Sequence, residues 1–170
     1  TATADKGGKK VQQLVFRTHK GIMAVNAKTG ELSWDAENPW SLDEVFANAA
    51  RDPQKSNAYS QWISAFNRPI GPSDPYVRPQ MLLESSAMGT LSADNRHVYA
   101  IEDLPVPPPA SQAAAGGVLG AAIGHNKLLA YSMAKGGRIA WEAGSTDSKD
   151  PLGDTYFLAA PLPLNGKLYV

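Results

Sequence analysis

The sequence predicts an all-β fold built from repeated four-stranded antiparallel sheets, and three observations carry that reading. A strand–turn–strand unit ending in Trp occurs twice. A second hairpin pattern ending in an apolar residue and Tyr also occurs twice. One of those hairpins turns on Asn165-Gly166, and Asn-Gly between apolar runs is a strong short-range hairpin signal.

The first unit runs from Ile22 to Trp34 and the second from Leu129 to Trp141. Each has a strand, an Ala-Lys-(Thr/Gly)-Gly turn, a second strand and a Trp four residues after the last Gly: Gly30 to Trp34, and Gly137 to Trp141. Ala130 matches Ala24, which leaves the second copy one residue longer between Ala and Trp; a bulge at a glycine absorbs such differences. Gly supplies the positive φ of a tight turn. Trp brings a large apolar area and an indole N–H. A hairpin alone needs no Trp at a fixed offset, so the recurrence predicts that this side chain packs between neighbouring units. Thr29, Gly30, Trp34, Gly137 and Trp141 are therefore the residues of a structural blade motif.

The second pattern covers Gly89 to Ala100 and Pro161 to Val170. Leu14-Val15-Phe16-Arg17-Thr18 precedes the first Trp unit by a short turn, His19-Lys20-Gly21, and reads as the second strand of a sheet whose first strand is missing or irregular. The expected organisation is one propeller domain in part. Residues 11–35 supply the later strands of a blade, 36–80 a helical insertion, 81–142 a second blade interrupted by a flexible loop at 103–124, and 155–170 the start of a third. Four-stranded sheets arranged radially are the plan of a β-propeller. The chain starts without Met and stops inside a strand pattern, which predicts truncation at both ends.

The insertions read differently. Ser41-Leu42-Asp43-Glu44 has capping-box spacing, and Leu42, Val45, Phe46, Ala49 and Ala50 follow at helical intervals. Tyr59, Trp62, Ile63 and Phe66 form a second short helical face. Two short helices packed on the propeller are expected, with a partner-binding lid as the functional alternative. Pro105 and Pro107–Pro109 precede a Gly/Ala run. Its Gly116, Gly120 and Gly124 have GxxxG spacing, but the apolar stretch is shorter than the roughly 20 residues a membrane helix needs. A surface loop is expected, with no membrane span.

Composition narrows the chemistry. The 170 residues balance 16 basic against 16 acidic side chains, with 43% hydrophobic and 19% charged content. A net charge of zero is unlike that of a nucleic-acid binder. Without cysteine there is no disulfide scaffold, thiolate metal site or cysteine nucleophile. His19, His97 and His125 share no metal-binding spacing. Asp147, Asp150 and Asp154 cluster in a loop, but Lys149 and Pro151 break the order of a calcium loop. Phosphate-binding glycine loops and Gly-x-Ser-x-Gly elbows are missing. Trp40, Trp62 and Tyr59 could stack a ligand, although helix packing explains them more simply.

The stretch Ile22 to Trp34 resembles propeller repeats of the pyrroloquinoline-quinone (PQQ) type, whose blades read roughly Leu-Tyr-Ala-Leu-Asp-Ala-x-Thr-Gly-Lys-x-x-Trp. Asn26 stands where Asp is usual. The copy ending at Trp141 departs further, with Ser132 for Asp and Gly136 for Thr. The resemblance implies a propeller of the quinoprotein-like class, found in the cell envelope or periplasm. It leaves two functions open. One is a non-catalytic binding or scaffold protein with protein partners and no cofactor. The alternative is part of a PQQ- and calcium-dependent dehydrogenase. The enzymes of that family carry adjacent cysteines and calcium ligands, neither of which this sequence supplies. No catalytic or metal residue is assigned.

Overall fold

In a computed structural model, residues 2–6, 9–18, 20–38, 47, 91–103, 125–144, 150–153 and 155–170 are described. The expected helices and loop within 39–90 and 104–124 lie outside these residues, apart from the single position 47, as do His19, Tyr59, Trp40, Trp62, Asp147 and Asp154. The described residues form antiparallel sheets and no helical element.

The first sheet contains β1 (Ala2–Lys6), β2 (Lys9–Arg17), β3 (Gly21–Asn26) and β4 (Leu32–Glu37), in sequence order across the sheet. The second contains β5 (Leu91–Ala93), β6 (His97–Glu102), β7 (Lys127–Ser132) and β8 (Arg138–Ala143), again in sequence order. The strands β9 (Leu162–Leu164) and β10 (Lys167–Tyr169) make a two-stranded sheet. All three sheets are open. Two expectations are corrected. The first strand of the first sheet is present as β1, which precedes the expected start at 11. Ala36 and Glu37, given to the helical insertion, belong to β4.

The two Trp units fold alike. Ala24 pairs with Trp34 and Ala130 with Trp141, and each ladder shifts register immediately after that alanine. The turn after β3 is held by Gly30 N–H donating to Asn26 O (2.9 Å) and by Asn26 Oδ1, which accepts from Lys28 N–H (2.9 Å). Asn26 thus performs the turn-closing task open to Asp at this position. In the second unit Gly137 N–H donates to Ser132 O (2.9 Å) and Lys135 N–H to Ser132 Oγ (3.3 Å). The extra residue sits in this turn, where Gly136 and Gly137 both take positive φ.

Paired residues on adjacent strands share a face, and the faces stack. Ala2, Ile22, Ala24 and Trp34 of the first sheet form one core with Val98, Ala100, Leu129 and Tyr131 of the second, extended by Met133 just after β7. On the opposite face of the second sheet, Tyr99, Ile101, Leu128 and Ala130 pack with Phe157 and Leu168. The second sheet is therefore covered on both faces. This accounts for the unbroken apolar runs Val98–Ile101 and Leu128–Tyr131, since a strand buried on both sides has no solvent face to mark with polar residues. Asn126 pins the connection to the third sheet. Its Nδ2 donates to Phe157 O and its Oδ1 accepts from Phe157 N–H, both at 2.7 Å.

Candidate functional site

In the first two sheets the meander order alternates the ends at which consecutive strands connect, so the short β2–β3 turn at 18–20 falls at the same end as the exits of β4 and β6. The turns at 27–31, 94–96 and 133–137 lie at one end. The chain leaves β4 at Asn38, leaves β6 at Asp103 and returns to β7 from His125 at the other, where β8 also runs out toward β9.

A polar cluster occupies the interface between the first two sheets at this end. Arg17, the last residue of β2, reaches across to Glu102, the last residue of β6. Its Nη1 donates to Oε1 (3.0 Å) and Oε2 (2.9 Å) of Glu102, and its Nη2 donates to Ile101 O (3.0 Å). Tyr131 Oη donates to Glu102 Oε1 (3.2 Å), and Asn38 Nδ2 donates to Oε2. The Glu102 side chain is 0% exposed. Burial pushes its carboxyl above the usual carboxylate range, against the opposing pull of the Arg17 guanidinium and the Tyr131 and Asn38 donors. Burial, followed by the neighbouring carboxylate, drives the Tyr131 phenol upward. Each Glu102 oxygen already accepts two hydrogen bonds, so the carboxylate is saturated by the protein itself. This geometry ties two sheets together.

A second set of polar contacts also serves the turns. Asp94 Oδ1 accepts from Arg96 N–H (2.6 Å) and His97 N–H (2.7 Å), and Oδ2 accepts from Tyr99 Oη (2.8 Å). Burial alone would raise the Asp94 carboxyl, but these donors outweigh it and hold it below its ordinary value. Burial and the bond to Asp94 push the Tyr99 phenol up to about 12. Burial and Asp103 likewise push Tyr156, whose Oη donates to Asp103 Oδ2, up to about 12. Asp150 closes a turn by accepting from Gly144 N–H (2.7 Å) and Leu152 N–H (2.9 Å).

The blade-motif residues take separate places. Thr29 and Gly30 are exposed in the β3–β4 turn, where Thr29 Oγ1 accepts from Glu31 N–H (3.3 Å). Trp34 is 5% exposed, and its Nε1 donates to Gln13 Oε1 (3.1 Å). Its ring lies against Gly137 of the second sheet so closely that a Cβ there would come within 2.9 Å of Cδ2 and Cζ3. Gly137 is thus the seat for the indole of the sheet before it. Nothing lies within 4 Å of the equivalent position on Gly30. Trp141 is 39% exposed. It touches Tyr99, with ring centroids 5.9 Å apart, but no described glycine turn covers it as Gly137 covers Trp34.

The sequence reading did not single out Arg17, Asn38, Glu102 or Tyr131. One signal was available: Glu102 directly follows an apolar run, and a charged residue at the end of a doubly buried strand needs a partner. No group of three or more His, Cys, Asp or Glu side chains able to hold a metal is found among the described residues. No helix among them is long and apolar enough to cross a membrane. Comparisons with protein-family models, curated proteins and solved structures found no match.

Proposed function

We propose that the stacked sheets are consecutive blades of a β-propeller with PQQ-like repeats, and that this propeller is a non-catalytic binding or scaffold protein of the cell envelope with protein partners. The observation that carries the reading is the joint between repeats: Trp34 of one four-stranded meander seated on Gly137 of the next. A two-layer sandwich has only two sheets to stack. Here the middle sheet is packed on both faces, as radial repetition requires. The envelope assignment rests on the sequence resemblance. The non-catalytic assignment is supported by Glu102, whose oxygens are spent on Arg17, Tyr131 and Asn38.

Titration of the protein with pyrroloquinoline quinone in the presence of calcium, followed by quinone absorbance, tests this reading. The expected result is no saturable binding up to high micromolar quinone. Stoichiometric calcium-dependent binding would replace the scaffold by the dehydrogenase alternative.

A further inference from the structure

We propose that Asn165 is a site of self-modification, at which the Gly166 amide displaces ammonia from the Asn165 side chain and water then leaves aspartate or isoaspartate in the β9–β10 turn. The reaction needs a side-chain amide that nothing holds, a free N–H on the next residue, and a next residue small enough to let the two meet. All three coincide here. Asn165 and Gly166 are both exposed. Asn95 and Arg96 in the corresponding turn of the second sheet are exposed as well, so this exposure belongs to the turn and not to its place along the chain. Neither the Asn165 side-chain amide nor the Gly166 N–H takes part in a hydrogen bond among the described residues. Beyond its chain neighbours, no atom lies within 4 Å of where a Gly166 Cβ would stand. Glycine also gives the backbone the freedom to swing the amide out of the turn, where Asn165 and Gly166 have φ 51° and 74°.

The other described asparagines each fail a requirement. Asn26 Oδ1 accepts from Lys28 N–H (2.9 Å), and Ala27 N–H donates to Gln12 O (2.9 Å). Asn126 spends both arms of its side chain on Phe157 and is 1% exposed. Asn95 is exposed, but Arg96 N–H donates to Asp94 Oδ1 (2.6 Å), and Arg96 carries a long side chain. Asn38 precedes Pro39, which has no N–H. At Asn165 the step needs water alone as co-reactant. Gly166 N attacks Asn165 Cγ, the N–Cγ bond forms, the Cγ–Nδ2 bond breaks, and ammonia leaves with the Gly166 proton. Water then opens the five-membered imide. Cleavage of the new bond gives aspartate. Cleavage of the original peptide bond gives isoaspartate, whose chain runs through Cβ and Cγ. That route adds one backbone atom to the turn between Leu164 and Lys167, which disturbs their pairing and loosens Leu168 from the second sheet.

The test incubates the protein in neutral and in mildly acidic buffer until half of a free peptide of residues 161–169 has converted in the neutral one. Tryptic fragments are then analysed by mass spectrometry, and residues 150–167 carry Asn165 as their one asparagine. Conversion at Asn165 is expected to be at least tenfold faster than at Asn26, Asn95 and Asn126. It should slow in the acidic buffer, because the attacking amide must lose its proton, and enzymatic methylation should detect isoaspartate. The converted protein, separated by its added negative charge, should unfold at lower urea than the unconverted protein. The proposal is overturned if Asn165 stays intact while the free peptide converts, or if it converts no faster than the other three asparagines. An unchanged urea midpoint would overturn the loosening of Leu168.

Discussion

At the scale of single residues, two tryptophans with the same motif and strand register differ in surroundings. Trp34 is enclosed by the next sheet, and Trp141 is not. Trp34→Ala should therefore cost about 3–5 kcal/mol, the range for emptying a large aromatic site. Trp141→Ala should cost less than half of that in chemical denaturation of the same protein. The Arg17–Glu102 pair is the other residue-level determinant. Removing one partner leaves a buried charge or its donors unmatched, so Glu102→Ala should destabilise by about 3–5 kcal/mol. A double-mutant cycle with Arg17→Ala should show that the double variant loses clearly less than the sum of the two single losses. Additive losses would mean that the pair does not join the sheets.

At the scale of elements, the turns are held by side chains whose titration is displaced. Tyr99 and Tyr156 have folded values near 12, above the ordinary value of 10.0. The folded state thus favours the neutral phenol. This contribution to stability is fully present below about pH 10 and is lost as the pH rises through about 12. Phenolate absorbance should show Tyr99 titrating late, and Asp94→Asn should shift it part of the way back, because the carboxylate that accepts its hydrogen bond is gone while the burial remains. No change in Tyr99 titration on Asp94→Asn would place its partner elsewhere. Much of the element scale was legible in the sequence. Gly30 and Gly137 marked their turns, Asn165-Gly166 marked β9–β10, and the matched Ala24 and Ala130 hold equivalent places in the two ladders. β1 was not legible. Ala2–Lys6 offers only two alanines as apolar residues and no branched aliphatic or aromatic side chain, and its pairing with β2, not its own propensity, makes it a strand. The Arg17–Glu102 cluster was hidden for a related reason, since its members lie 85 positions apart and meet only when two sheets stack.

At the scale of the whole molecule, the joint between Trp34 and Gly137 decides whether these sheets are repeats docked in one manner or two sheets in incidental contact. The two glycine turns separate the causes of strain. Gly30 and Gly137 both have positive φ, 73° and 77°, so an alanine at either carries a backbone cost of about 1–2 kcal/mol. Only at Gly137 does the new methyl also meet an indole. Gly137→Ala should therefore destabilise distinctly more than Gly30→Ala in urea unfolding.

The most direct test of the account is the double-mutant cycle of Trp34→Ala with Gly137→Ala, measured by equilibrium urea unfolding. The account predicts strong coupling: once Trp34 is alanine, Gly137→Ala costs no more than the backbone strain seen at Gly30→Ala. If Gly137→Ala costs the same with and without the Trp34 indole, the indole does not rest on that turn, and the docking of successive sheets described above is contradicted.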